Sequence, residues 1–211
     1  MQKKGFTIIE VVVVFLLILG VTFLFLPKGL DNTRQARFIS KWTEKYSEIE
    51  YMFSVIKAQK DSEIQAKLKN AQDSDGRSEA VIDTIKPFLR ITSDVKDPTY
   101  KQHYMDKTLV KDQDRYYFGK FYQTSDNEIV GLKWLKEHCN DGDACAIMAF
   151  DMNGAIPPNT WGYDVFGIEL LKDKISPLGK DADSDTLKKN CSKRGYGTYC
   201  SYYYLIGGKF D

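Results

Sequence analysis

Four cysteines, Cys139, Cys145, Cys191 and Cys200, are the side chains with the most evident chemistry in this sequence. Where the compartment is oxidising, an even count favours two disulfides. Three connectivities exist. The local pairs Cys139–Cys145 and Cys191–Cys200 are preferred, because each spans a short turn-rich loop: Asn140-Asp141-Gly142-Asp143 in one, Gly195-Tyr196-Gly197 in the other. Zinc is the rival use of these thiols. Against it, there is no Cys-x-x-Cys, and His138 beside Cys139 lacks ligand spacing.

Carboxylates form the second group. Asp181-Ala182-Asp183-Ser184-Asp185 sets three acids on alternate positions, a start that hard-cation loops use, and makes calcium the candidate cofactor. An EF-hand loop would continue with Gly at 186 and Glu at 192; the chain has Thr186 and Ser192. Asp151, Asn153 and Asp164 are a second candidate set and Asp141 with Asp143 a third, and each set also reads as an acidic, solvated loop. Signals for catalysis are sparse: two histidines, His103 and His138, no nucleophile elbow, no phosphate-binding glycine loop and no His-Glu-x-x-His. The sequence therefore reads as non-enzymatic. Tyr196, Tyr199, Tyr202, Tyr203 and Tyr204 fit a packed strand better than an adhesive surface.

These residues sit in a chain of 211, with 43% hydrophobic and 28% charged residues, an ordinary globular composition. Thirty basic residues against 29 acidic ones leave a net charge of +1, which argues against nucleic acid as a partner. The average hides the N-terminus. Phe6 to Leu26 is a 21-residue apolar stretch whose only charge is Glu10. As a helix it would extend about 31 Å, one hydrocarbon thickness. Lys3 and Lys4 ahead of it predict a cytoplasmic N-terminus and translocation of residues 28–211. The exit Leu24-Phe25-Leu26-Pro27-Lys28-Gly29 has no small-x-small pair, so the segment is expected to stay attached rather than be cleaved as a signal peptide. An acid inside such a helix costs about 2.5–3.5 kcal/mol and asks for a role, unless it snorkels to the headgroups.

Gly5-Phe6-Thr7-Ile8-Ile9-Glu10 resembles the processing motif of type IV prepilins and type II secretion pseudopilins. The resemblance implies cleavage by prepilin peptidase between Gly5 and Phe6, N-methylation of Phe6, and an assembly role for Glu10. That carboxylate would neutralise the new amine of a neighbouring subunit and so set axial stagger. Pro27 stands where many pilins carry a helix-kinking proline. Downstream, the Asp151–Phe166 segment, with Asn153-Gly154, Pro158-Asn159, Gly162 and Asp164, resembles a turn that many such proteins place between two strands. A disulfide-bounded C-terminal loop and loop-bound calcium are also features of that family. The implied partners are other pilin subunits, the peptidase, an inner-membrane assembly platform and the membrane itself. The implied location is the bacterial inner membrane, single-pass with the N-terminus cytoplasmic, followed by a periplasmic or surface filament. The alternative is a membrane-anchored binding module that never polymerises.

The elements that would position these residues follow from periodicity. Leu30, Phe38, Ile39, Trp42, Tyr46, Ile49, Phe53 and Ile56 recur at spacings of three and four among charges, predicting an amphipathic helix over 30–60. Gln72–Ser78 is a polar break, and a short helix is expected over 79–89, interrupted at Pro87. Strands are expected over 115–123, 128–135, 144–150, 163–171 and 199–206, with 94–114 irregular. Helices first and strands later predict an α+β, pilin-like fold: a long N-terminal helix, membrane span plus amphipathic half, packed on an antiparallel sheet. The expected organisation is a leader at 1–5, a transmembrane helix at 6–26, its amphipathic continuation at 27–60, and a head at 61–211.

Overall fold

A computed structural model describes residues 8–95, 99–136 and 138–209; within its first helix, the side chains of residues 10, 21–32 and 61 lie outside that description. The chain falls into two compact units, Met1–Arg37 and Phe38–Asp211. Helix α1 spans Ile8–Asn70. The expected amphipathic stretch is part of it, and the helix runs beyond Lys60 because Ile64 and Leu68 keep the inward spacing and no breaker intervenes before Asp73.

The expected membrane span at 6–26 is corrected. Among the described residues, no helix is long and apolar enough to cross a membrane. The described part of the apolar run, residues 8–20, extends only about 20 Å as a helix, against about 30 Å of hydrocarbon. With the span goes the pilin-like fold class built on it, and so does the single-pass inner-membrane location. The expectations for Gly5 and Phe6, and for the side chains of Glu10 and Pro27, lie outside the described residues.

In the second unit, Phe38, Trp42, Ile49, Met52 and Ile56 form the buried stripe of α1. Helix α2 (Ser74–Ile85) starts before the expected Glu79, because the Asp73 carboxylate accepts from the Gly76 amide at 2.7 Å and caps it. It ends two residues before Pro87, which has no N–H to carry the helical hydrogen-bond ladder further. Six strands follow: β1 (Ile91–Asp94), β2 (Phe121–Thr124), β3 (Ile129–Trp134), β4 (Ala144–Asp151), β5 (Val165–Leu171) and β6 (Ile175–Pro177). They form one antiparallel meander in chain order, each strand paired with the next. Pro177 is tolerated because β6 is an edge strand. Helices α3 (Ser184–Asn190) and α4 (Cys200–Leu205) close the chain.

Both faces of this sheet are covered. Ala146, Met148 and Phe150 of β4 join the core formed with α1 and α2, while Ile147 and Ala149 join a second cluster with Tyr104, Val110, Phe118, Trp161 and Leu178. Two expected strands are corrected accordingly. Residues 115–120 are not strand. Tyr117 bonds back to Asp114, and Phe118 folds under the sheet to press on Gly131, where an added Cβ would meet the Phe118 ring at 2.9 Å. The tyrosine-rich 199–206 segment is helix. Cys200, Ser201 and Tyr204 are its buried residues, a helical spacing, and Ser201 ties it to the sheet by accepting the Gly167 N–H at 2.9 Å.

Candidate functional site

The Asp151–Phe166 segment is the turn between β4 and β5, and two fully buried carboxyls organise it. Asp164 Oδ2 accepts the Asn159 amide at 3.1 Å and its Oδ1 the Thr160 amide at 2.5 Å. Asp151 Oδ2 accepts the Tyr100 hydroxyl at 2.9 Å, and Oδ1 accepts the Asn153 amide at 3.2 Å. Asn153 Nδ2 donates to the Ile156 carbonyl at 2.7 Å. Burial pushes the Asp164 carboxyl up to about 6, against the pull of its amide donors. Burial, followed by the negative charge of Asp164, holds Asp151 well above the usual carboxylate range. Two acids this deep are more stable sharing one charge than carrying two. Gly154 (φ +72°) sits where a Cβ would strike the Asn127 carbonyl, so glycine is required there. The arrangement is a turn tied to itself, which the sequence motif had suggested.

The other acidic sets are also engaged locally. Asp183 caps α3: its Oδ1 accepts the Asp185 and Thr186 amides, both at 3.0 Å, and its Oδ2 accepts the Thr186 hydroxyl at 2.7 Å. Asp183 and Asp185 thus begin a helix, and Asp181 lies two residues ahead of its cap. Asp143 pairs with Lys136 at 2.6 Å and Asp141 with Lys172 at 2.8 Å. Among the described residues, no group of three His, Cys, Asp or Glu could hold a metal. The cysteines pair as the loop argument preferred. Cys139–Cys145 closes the β3–β4 connection, and Cys191–Cys200 joins the end of α3 to the start of α4.

No family model, curated protein or solved structure matches this chain. Its candidate sites therefore rest on geometry and residue chemistry.

Two surfaces stand out. The first belongs to the N-terminal unit. Ile8, Ile9 and every residue from Val11 to Leu19 are large, apolar and at least half exposed, from 50% at Val13 to 84% at Ile8. They occupy all sides of the helix, not one stripe. A soluble monomer rarely leaves so much contiguous apolar surface in water, and such a patch marks an association site.

The second is a cleft of about 910 Å³ in the second unit. It lies among residues 50–69 of α1, Arg77 and Val81 of α2, Trp134, the Cys139–Cys145 bridge and the β5–β6 hairpin. Its floor is apolar, with Ile56, Val81, Leu170 and Ile175 buried and Phe53 and Ile64 half-buried or better. Its rim is basic: Lys57, Lys69, Arg77, Lys172 and Lys174 stand against the carboxylates of Glu50 and Asp173. No sequence motif marks this site. The basic residues are dispersed from 57 to 174, so no local motif announces them, and only the meander brings them to one rim.

Proposed function

We propose that this chain is a structural subunit, a pilin or pseudopilin, of a type IV pilus or type II secretion-like filament, assembled through its N-terminal helix with copies of itself or related subunits. The observation that supports the reading is the uncovered apolar surface over Ile8–Leu19, which begins directly behind the Gly5-Phe6 processing motif. An apolar helix surface exposed on every side is best buried by several like helices at once, which is what a helical filament core supplies. Burying a leucine, isoleucine or phenylalanine side chain contributes about 1.5–3 kcal/mol, so this short stretch could drive assembly. Glu10 is the one acid in that stretch. Pairing it with the new amine of a neighbour's Phe6 would offset two desolvation costs and fix the stagger.

Intact mass and N-terminal sequencing of the protein from its native host test the reading. A start at Phe6 carrying one extra methyl is expected. A start at Met1 would refute processing and the filament with it. Glu10→Ala should then abolish assembly or leave filaments of irregular stagger, seen by electron microscopy.

A further inference from the structure

The filament reading uses the N-terminal helix and leaves the cleft in the second unit without a task. We propose that this cleft binds an anionic amphiphile of the long-chain fatty-acid class, its chain on the apolar floor and its carboxylate at the basic rim. The inference does not depend on filament formation.

Three observations carry it. The volume, about 910 Å³, falls within the range that encloses small ligands and accommodates a long acyl chain with room for its headgroup. The floor is mostly hydrocarbon and aromatic surface, contributed by Phe53, Ile56 and Ile64 of α1, Val81 of α2 and the ends of β5 and β6. The charge around it is unbalanced. Lys57 is matched by Asp173 at 3.6 Å and Lys172 by Asp141 at 2.8 Å, but Lys69, Arg77 and Lys174 have no acidic partner among the described residues. Of the two rim carboxylates, Asp173 is thus already paired, and Glu50 accepts the Tyr46 hydroxyl at 2.8 Å. Three uncompensated cations beside an apolar trough complement a ligand with one negative end and one long apolar end. A neutral lipid would leave the cations unused, and a small anion would leave the trough empty.

The cleft also carries its own reporter. Trp134 lines it, whereas Trp42 and Trp161 are fully buried elsewhere in the core. The test uses the full-length protein with a brominated palmitate, below its critical micelle concentration. Binding is followed by tryptophan quenching and by calorimetry, in parallel with hexadecanol and acetate. The acid is expected to bind at one site and quench Trp134 fluorescence. The alcohol should bind on the order of tenfold more weakly, and acetate should give no signal. Arg77→Gln with Lys174→Gln should weaken the acid on the order of tenfold while leaving the alcohol unchanged, because two charge contacts are removed and the floor is intact. Ala66→Phe, an exposed helical position on the cleft wall, should block both ligands, with circular dichroism and the denaturation midpoint confirming the fold. Three results would overturn the proposal: no binding below micelle formation, equal affinity for acid and alcohol, or quenching that survives Trp134→Phe or Ala66→Phe. The last would place the ligand elsewhere, such as on the exposed Ile8–Leu19 surface.

Discussion

The two faces of the β-sheet are covered by opposite means. On one, the periodic stripe of α1 lays Trp42 against Phe166, with centroids 5.3 Å apart and planes within 17°, and the Trp42 indole N–H donates to the Ser201 carbonyl at 2.8 Å. On the other, irregular chain between Tyr100 and Phe118 does the covering. Trp161 of the β4–β5 turn joins that layer and is equally buried, yet its indole nitrogen has no hydrogen-bond partner among the described residues. Regular helix and irregular loop thus exclude water equally well. They differ in how their buried indoles are served: the Trp42 N–H reaches a carbonyl of α4, and the Trp161 N–H meets no acceptor among the described residues.

The largest expected effects test whether the two layers hold the fold equally. Trp42→Ala and Trp161→Ala should each destabilise by about 3–5 kcal/mol in chemical denaturation, as for a buried aromatic emptied into a cavity. Substitution by phenylalanine separates the layers. Trp42→Phe leaves the Ser201 carbonyl without its donor and should cost about 1–3 kcal/mol more than Trp161→Phe, where no hydrogen bond is broken. Equal costs would mean that the indole bond contributes nothing.

The buried turn below the loop layer should show itself through pH. Asp164 is raised from an ordinary 3.8 to about 6, so the folded state holds this proton more tightly than the unfolded chain does. Its contribution is complete below about pH 4 and is lost as pH rises through 6, a change of about 3 kcal/mol. The difference in denaturation midpoint between the wild type and Asp164→Asn, measured from pH 4 to 7, should therefore shift against the wild type as pH rises. A flat difference would exclude the titration. Asp151, also held well above the usual carboxylate range, should contribute in the same direction, and Asp151→Asn should remove its share of the decline.

A smaller effect belongs to the contact between the layers. Gly131→Ala forces its new methyl into the Phe118 ring and should cost about 1–3 kcal/mol, with Phe118→Leu restoring part of it. Smallest is Asp183→Ala. Removing the α3 cap should cost about 1 kcal/mol, and the same loss with and without added calcium would show that this acid serves the helix and not a metal.

The helix-facing layer was legible because helical periodicity is written in the order of residues. The spacing of Trp42, Ile49 and Ile56 alone puts them on one face. The loop-facing layer was not. Tyr116 to Phe118 carry strand-like residues, and only the competition between pairing and covering the sheet sends them underneath it. The same applies to Tyr202–Tyr204, whose aromatic run reads as strand. Contacts of Cys200, Ser201 and Tyr204 with distant partners outweigh that weak preference.

By itself the sequence determined the local quantities: the α1 stripe, the existence of β3, β4 and β5, the short-loop disulfides, and the Asp151–Phe166 turn. Each depends on residues close together in the chain, where spacing and turn chemistry suffice. Tertiary structure alone decided which acids are buried as a pair and which merely cap a helix. It also decided that Phe118 covers a sheet face, and that basic residues from three distant segments meet around one apolar cleft. Those outcomes depend on which segments share a neighbourhood, and burial and charge compensation are properties of that neighbourhood rather than of any stretch of sequence.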